Sequence, residues 1–243
     1  MTETTKPYAK KAIKPPERVR DMFDIIAQRY DLLNHLMSFG QDKKWRTLAA
    51  QNTGAAAGSK VLDACTGTGD LAFALRSITG AEITGVDFSQ DMLEKAKEKA
   101  EKAGIESGIT FIAASVDQLP FDDNSFDAIT IGWGLRNTPG YKAVLAEFCR
   151  VTKPGGTLVC LESNQPEDAL LRAGYRAYLS IVVPLIGRLA SNNYEAYKYL
   201  SDSIQVFPPQ KELVKMMKEA GWAEVNYRNF MFGAVAMHVA TKS

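Results

Sequence analysis

The chain has 243 residues, 46% hydrophobic and 23% charged, a composition that excludes a disordered chain and suits one large domain. Its 29 Lys and Arg against 28 Asp and Glu leave a formal net charge of +1, which argues against nucleic-acid binding through bulk charge. Three cysteines without a CxxC pair (Cys65, Cys149, Cys160) and only two histidines (His35, His238) argue against a disulfide scaffold and against a metal site.

Residues 1–16 read as a flexible basic tail ending in Pro15-Pro16, without the apolar run of a secretory signal. The longest charge-free apolar stretch is the 11 residues between Arg176 and Arg188. A membrane-spanning helix needs about 18 or more. The expectation is a cytoplasmic protein that meets a membrane at most peripherally, at its inner face.

Residues 17–243 read as a single domain. Val19, Met22, Phe23, Ile26, Tyr30 and Leu33 share one helical face, and a second helix from near Asp42 carries Trp45, Leu48 and Ala49, so helices occupy 17–53. Apolar strands then follow at 61–64, 82–87, 109–114, 126–132 and 157–162. Helices at 70–78, 89–103 and 141–151 alternate with them, Ser89 serving as an N-cap and Pro154-Gly155-Gly156 as a turn. That alternation predicts an α/β fold with a mostly parallel, doubly wound sheet. From about 167 to 205 the rhythm breaks. Leu171, Tyr175, Tyr178, Val182, Leu185 and Leu189 recur at helical spacing, interrupted at Pro184, and predict a helical insertion over the carboxyl end of the sheet. A helix through Leu213, Met216 and Met217 ends at Gly221, and strands at 223–230 and 234–241 close the chain.

The loop Asp63-Ala64-Cys65-Thr66-Gly67-Thr68-Gly69-Asp70 follows a strand and opens a helix, and its glycines let a ligand approach the backbone. Asp87 ends the next strand, placed to hold two ribose hydroxyls. A dinucleotide and S-adenosylmethionine both suit this pattern. Charge favours the second: Asp70 in the first helical turn and Asp63 at the strand end would repel a pyrophosphate. The candidate cofactor contacts are Asp63, Gly67, Thr68, Gly69, Asp87, Phe88, Ser115 and Val116. Cys65 reads as a small buried residue, not a nucleophile.

Four blocks carry a family resemblance. Residues Tyr30-Asp31-Leu32-Leu33-Asn34-His35-Leu36-Met37-Ser38-Phe39-Gly40-Gln41-Asp42-Lys43-Lys44-Trp45 form the first. Gly132-Trp133-Gly134-Leu135-Arg136-Asn137, Arg150-Val151-Thr152-Lys153-Pro154-Gly155-Gly156 and Tyr199-Leu200-Ser201-Asp202-Ser203-Ile204 are the others. Together they resemble the quinone-pathway C-methyltransferases, from about residue 17 to the end. The resemblance implies a class I, Rossmann-like methyltransferase fold. It implies that S-adenosylmethionine methylates a ring carbon of a prenylated quinol, demethylmenaquinol being favoured over the benzoquinol of ubiquinone biosynthesis. The family's cofactor positions carry over to Thr68, Asp87 and the pair Ser115-Val116. Ser115-Val116 departs from the usual Asp or Asn followed by Ala, which weakens the adenine contact or shifts it to Asp117.

A quinol carbon becomes nucleophilic when a ring hydroxyl loses its proton, and a guanidinium suits the resulting oxyanion. Arg136, just past a strand's carboxyl end, is expected to steady it, with Asn137 orienting the ring oxygen. Asp31 is the first candidate base and His35 the second, with Tyr30 lining the ring. His238 reads as structural. The insertion is expected to wall a groove for the prenyl tail, and Arg172, Arg176 and Arg188 to meet anionic lipid. An apolar insertion also leaves a homodimer open. Other readings stay in view: a nicotinamide oxidoreductase, disfavoured by Asp70; a nucleic-acid base methylase, which would want an Asn/Asp-Pro-Pro-aromatic motif; and a non-catalytic lipid-binding or assembly protein on the same fold.

Overall fold

The computed structural model describes His35 and residues 37–105, 107–185 and 194–243. The basic tail, the first predicted helical face, Tyr30, Asp31, Arg188 and Leu189 lie outside the described residues. Seven strands form one sheet in the order β3-β2-β1-β4-β5-β7-β6. They are β1 (Lys60–Ala64), β2 (Glu82–Asp87), β3 (Ile109–Ala113), β4 (Phe126–Gly132), β5 (Thr152–Ser163), β6 (Trp222–Phe230) and β7 (Val235–Lys242). The first five pair in parallel, and β7 runs antiparallel between β5 and β6.

Each strand falls where the sequence marks one. The fifth starts earlier than expected: Thr152 pairs with Phe126, but the next pair is Thr157 with Ala128, so the Pro154-Gly155-Gly156 turn is an excursion inside the strand. The apolar runs are buried on both faces, as a parallel sheet requires. Along β5, Leu158 and Cys160 enter one core, while Val159 and Leu161 enter the other.

The helices cover those two faces. On one side lie α1 (Asp42–Gln51) and α2 (Asp70–Thr79), through Trp45, Ala49, Leu71 and Leu75. On the other lie α4 (Tyr141–Val151) and α7 (Gln210–Glu219), through Leu145, Phe148, Leu213 and Met217. Between β2 and β3 runs α3 (Gln90–Lys102), capped by the Ser89 hydroxyl, which accepts from the Met92 N–H at 3.1 Å.

The insertion is a third, smaller core over the carboxyl end of the sheet. It holds α5 (Ala169–Ala177), a wide turn at Tyr178–Val182 and α6 (Tyr194–Val206). The Asp168 carboxylate caps α5, accepting from the Leu170 and Leu171 N–H groups. Two expectations fail here. The helix is not interrupted at Pro184 but continues to Leu185 among the described residues. Pro184 offers no N–H to the carbonyl four residues back, and the widened turn just before it absorbs the mismatch. The buried face is also rotated. Leu179 and Val183 are buried, whereas Val182 and Leu185 face out, because the wide turn shifts the helical phase that regular spacing assumes; Leu171, ahead of that turn, is exposed too.

Candidate active site

The strand order reverses between β1 and β4, and a crevice opens at the carboxyl ends there. It is lined by Cys65 and Gly67 after β1, Asp87 and Phe88 at the end of β2, Met92 on α3, and Gly132, Trp133, Gly134 and Asn137 after β4. Cys65 (φ 53°) and Trp133 (φ 55°) both hold left-handed backbones, a strain that non-glycine residues bear mainly at functional sites. Gly134 permits their close approach, since a Cβ on it would collide with the Cys65 Cβ.

Gly67 (φ 56°) leaves bare backbone facing the crevice: a Cβ there would meet no atom within 4 Å. Its N–H donates to Asp87 Oδ2 at 2.8 Å, and the Ser89 N–H donates to Oδ1 at 3.0 Å. A carboxylate offers about four acceptor positions, so main chain can aim this one while it still faces a ligand.

Asp63 lies beneath the loop instead of in the crevice. It is fully buried and accepts from the Thr66 and Thr130 hydroxyls at 2.6 and 2.7 Å. Burial pushes its carboxyl up to about 6 despite those bonds. Thr68 is buried and accepts from Lys99 at 3.2 Å. Gly69 (φ 85°) serves packing, because a Cβ on it would press on the Phe73 ring at 3.0 Å. Ser115 is exposed and hydrogen-bonded to Asp117, while Val116 packs into the core. Of the expected cofactor contacts, Gly67, Asp87 and Phe88 line the crevice; Asp63, Thr68, Gly69, Ser115 and Val116 do not.

The charge argument also changes. Asp70 is taken by Lys99 and by Arg46 Nη2 at 3.2 Å, so it is no bare negative charge at the helix start. The lining, with Asp87 and the Gly67 backbone and no Lys or Arg among the described residues, suits a ribose and a ligand without phosphates as well as it suits a dinucleotide held on main-chain N–H groups.

Trp133 also borders a second cavity, of about 120 Å³, close to the roughly 150 Å³ that holds a benzene ring. Its walls include Phe39, Asp42 and Trp45, the cap residues Tyr175, Tyr178, Leu179 and Val183, and Met231 and Val235. Trp45 is thus both a core residue and a wall. The Trp133 ring lies 6.4 Å from that of Trp45, with the Arg46 guanidinium 5.4 Å from its centre.

Arg136 and Asn137 sit on the short turn Leu135–Asn137 and divide between the chambers: Arg136 lines the second, Asn137 the first. Arg136 Nη1 donates to the Trp133 carbonyl at 2.6 Å and to Glu162 Oε1 at 2.5 Å. Asn137 Nδ2 donates to the same carbonyl at 3.3 Å, and its Oδ1 accepts from the Tyr199 hydroxyl at 3.1 Å. Burial pushes Tyr199 up to about 12, with Arg136 pulling the other way, so it stays a neutral donor.

His35 Nδ1 lies 2.8 Å from Asp42 Oδ1, and Arg46 Nη1 donates to Oδ2 at 2.6 Å. Burial alone would raise the Asp42 carboxyl; hydrogen bonds from His35, Ser38 and Arg46 outweigh it and hold the group below its usual value. Asp42 lines the second cavity and His35 stands behind it. Sequence reasoning passes over Glu162, Tyr199, Trp133 and Asp42. A signal exists for Glu162: a lone carboxylate ending an apolar strand, where ligands sit in such sheets.

The seven-stranded order with a reversed β7, the glycine loop and the acidic residue ending β2 define a class I methyltransferase. The chain belongs to the ubiE/COQ5 methyltransferase family, whose model matches residues 11–242. A demethylmenaquinone methyltransferase of Bacillus cereus is 41% identical over 228 residues, covering 93% of this chain and 96% of that protein. The Bacillus anthracis enzyme of the same name matches equally. Among solved structures, the cyclase SpnF shares the fold with a TM-score of 0.69 at 18% identity, covering 96% and 97% of the two chains. The Haemonchus contortus phosphoethanolamine N-methyltransferase 2 in complex with S-adenosyl-L-methionine gives 0.62 at 16% identity, covering 82% of this chain and 52% of that one. Among the described residues no group of three His, Cys, Asp or Glu could hold a metal ion, and no helix is long and apolar enough to cross a membrane.

Proposed function

We propose that this chain transfers a methyl group from S-adenosylmethionine to a ring carbon of demethylmenaquinol. The observation that carries it is that two cavities share Trp133 in their lining, one holding the Gly67 backbone and the Asp87 carboxylate and the other lined by aromatic rings, so that a donor and a ring bound there would be neighbours. The activity of the 41% identical relatives supports the naphthoquinol over the benzoquinol.

The crevice fits the donor: bare backbone at Gly67, carboxylate acceptors at Asp87 for ribose hydroxyls, and apolar Phe88 and Met92. When bound, S-adenosylmethionine supplies a methyl group activated on a sulfonium. The chain supplies alignment and charge. Tyr175, Tyr178 and Trp45 hold the quinol ring and exclude water. Arg136 steadies the oxygen that loses its proton, and Asn137 fixes the turn from which Arg136 reaches. The proton goes to Asp31, or through a bridging water to His35, which Asp42 holds in orientation.

The tail leaves through the cavity mouth. Phe39 there is 73% exposed, and Phe232, next to the lining residue Met231, is 84% exposed. Leu170, Ile181 and Leu185 of the cap are exposed as well, and exposed apolar residues of this kind suit a lipid surface in which the tail remains in hydrocarbon.

The test is methylation with labelled donor and both short-chain quinols. Label should enter the naphthoquinol; label in neither, or in the benzoquinol alone, overturns the reading. For the lipid surface, the full chain should float with anionic vesicles, and Phe39→Ser with Phe232→Ser should abolish flotation. Flotation unaffected by both changes, or self-association that the changes abolish without any lipid binding, refutes it.

A further inference from the structure

Arg136 is a long side chain in the lining of the second cavity, so something must hold it. Glu162 closes β5 beneath that cavity, next to the lining residue Ser163, and is fully buried. Its Oε1 accepts from Arg136 Nη1 at 2.5 Å and from the Ser163 N–H at 2.8 Å, while Oε2 accepts from the Arg136 backbone N–H at 3.2 Å. One carboxylate therefore fixes both the backbone and the guanidinium of Arg136 against the sheet. The Trp133 carbonyl takes the second hydrogen of Nη1 and completes the clamp.

A buried ion pair adds little net stability compared with an apolar pair of the same volume. Its placement under a cavity, on a residue that faces the substrate ring, needs another reason. On the reading above, we infer that Glu162 is a positioning residue that sets the angle and depth at which Arg136 meets the ionising quinol oxygen.

The surroundings make this testable by pH. Tyr141, Tyr175 and Tyr199 face the pair from α4, α5 and α6, Cys65 from the loop after β1 and Cys160 from β5; burial raises all five, so each stays neutral near pH 7. Asp42, on the cavity wall, is held below its usual value and stays charged. Asp63, raised to about 6, titrates in the same range and the candidate base is common to every variant, so it is the shift between wild type and variant, not the profile itself, that reports the quinol.

The experiment compares wild type, Glu162→Gln, Glu162→Asp, Arg136→Lys and the double variant that combines Glu162→Gln with Arg136→Lys. Glu162→Gln should lower kcat by about 10- to 100-fold, with the quinol KM and the donor Kd within about threefold. Its pH profile should move up by about one unit, as the quinol ionises less readily beside a misplaced guanidinium. The double variant should fall no more than about threefold below Arg136→Lys alone, since both act through one contact. A kcat within about threefold of wild type, or fully additive losses, overturns the inference. If Glu162→Gln does not fold, Glu162→Asp keeps the charge and shortens the reach, and should show the same direction of change in kcat and pH profile. A second readout needs no turnover: anaerobic absorbance titration of bound 2-methyl-1,4-naphthoquinol should show an ionisation lower in wild type than in the variant, and equal values refute positioning. A wild type that methylates neither quinol sinks the proposed function, while the titration still judges Glu162.

Discussion

The Gly67 main-chain N–H reaches Asp87 Oδ2 at 2.8 Å, tying together two loops that are 20 residues apart in sequence. The carboxylate is thereby aimed before any ligand arrives. Asp87→Ala should weaken S-adenosylmethionine binding by about 10- to 100-fold, the worth of hydrogen bonds to a charged acceptor. Calorimetric titration measures this. A dissociation constant within about twofold of wild type would remove Asp87 from the donor site.

Arg136→Lys keeps the charge but loses the planar fork. Turnover should drop about 100-fold while donor affinity holds, as for an oxyanion-stabilising donor. Arg136→Ala is a poorer probe: it leaves Glu162 buried without its ion-pair partner, at a cost of about 3–5 kcal/mol. Its melting temperature should fall well below that of the lysine variant, which differential scanning calorimetry would register.

The base is decided by two variants. Asp31→Asn should cut kcat by about 100-fold if it takes the proton, and His35→Gln should then cost little. The reverse ranking assigns the proton to His35. In that case Asp42→Asn should also depress turnover, because Asp42 orients the imidazole.

His238 stacks on Tyr227 at 5.4 Å, contacts the Gln210 carbonyl through Nε2 at 3.2 Å, and is pushed down to about 4 by burial. The unfolded chain therefore binds a proton at this site between about 6.5 and 4 that the folded chain refuses. Its contribution is complete above about 6.5 and is lost as pH falls towards 4. Asp63, raised from 3.8 to about 6, runs the other way: its contribution is complete below 3.8 and is lost as pH rises through 6. The two slopes oppose one another in wild type. Removing one exposes the other: His238→Gln should gain about 2 kcal/mol relative to wild type between about pH 6.5 and 5 in urea melts. A constant difference across that range would contradict the buried neutral imidazole.

The sheet is legible because continuous apolar runs such as Leu158 to Leu161 meet two cores at once, a pattern local enough to read from the sequence. Asp87 and Gly67 are legible for the same reason, since strand, loop and strand fix them. The cap departs from its pattern where regular spacing fails, at the wide turn Tyr178–Val182, which rotates Leu179 and Val183 inward. Asp63 precedes the glycines and so reads as a ligand contact, yet Thr130, 67 residues away, claims its carboxylate. Glu162 and Tyr199 are invisible as partners of Arg136 and Asn137 for a like reason: those contacts span 26 and 62 residues.

Trp133 is the lining residue that the two chambers share. Any displacement of the indole by one occupant alters the room left for the other. Linkage then makes the effect mutual: whatever factor the donor imposes on quinol affinity, the quinol imposes on the donor. Under the proposed function, the shared strained residue is where such coupling between the two reactants would be carried.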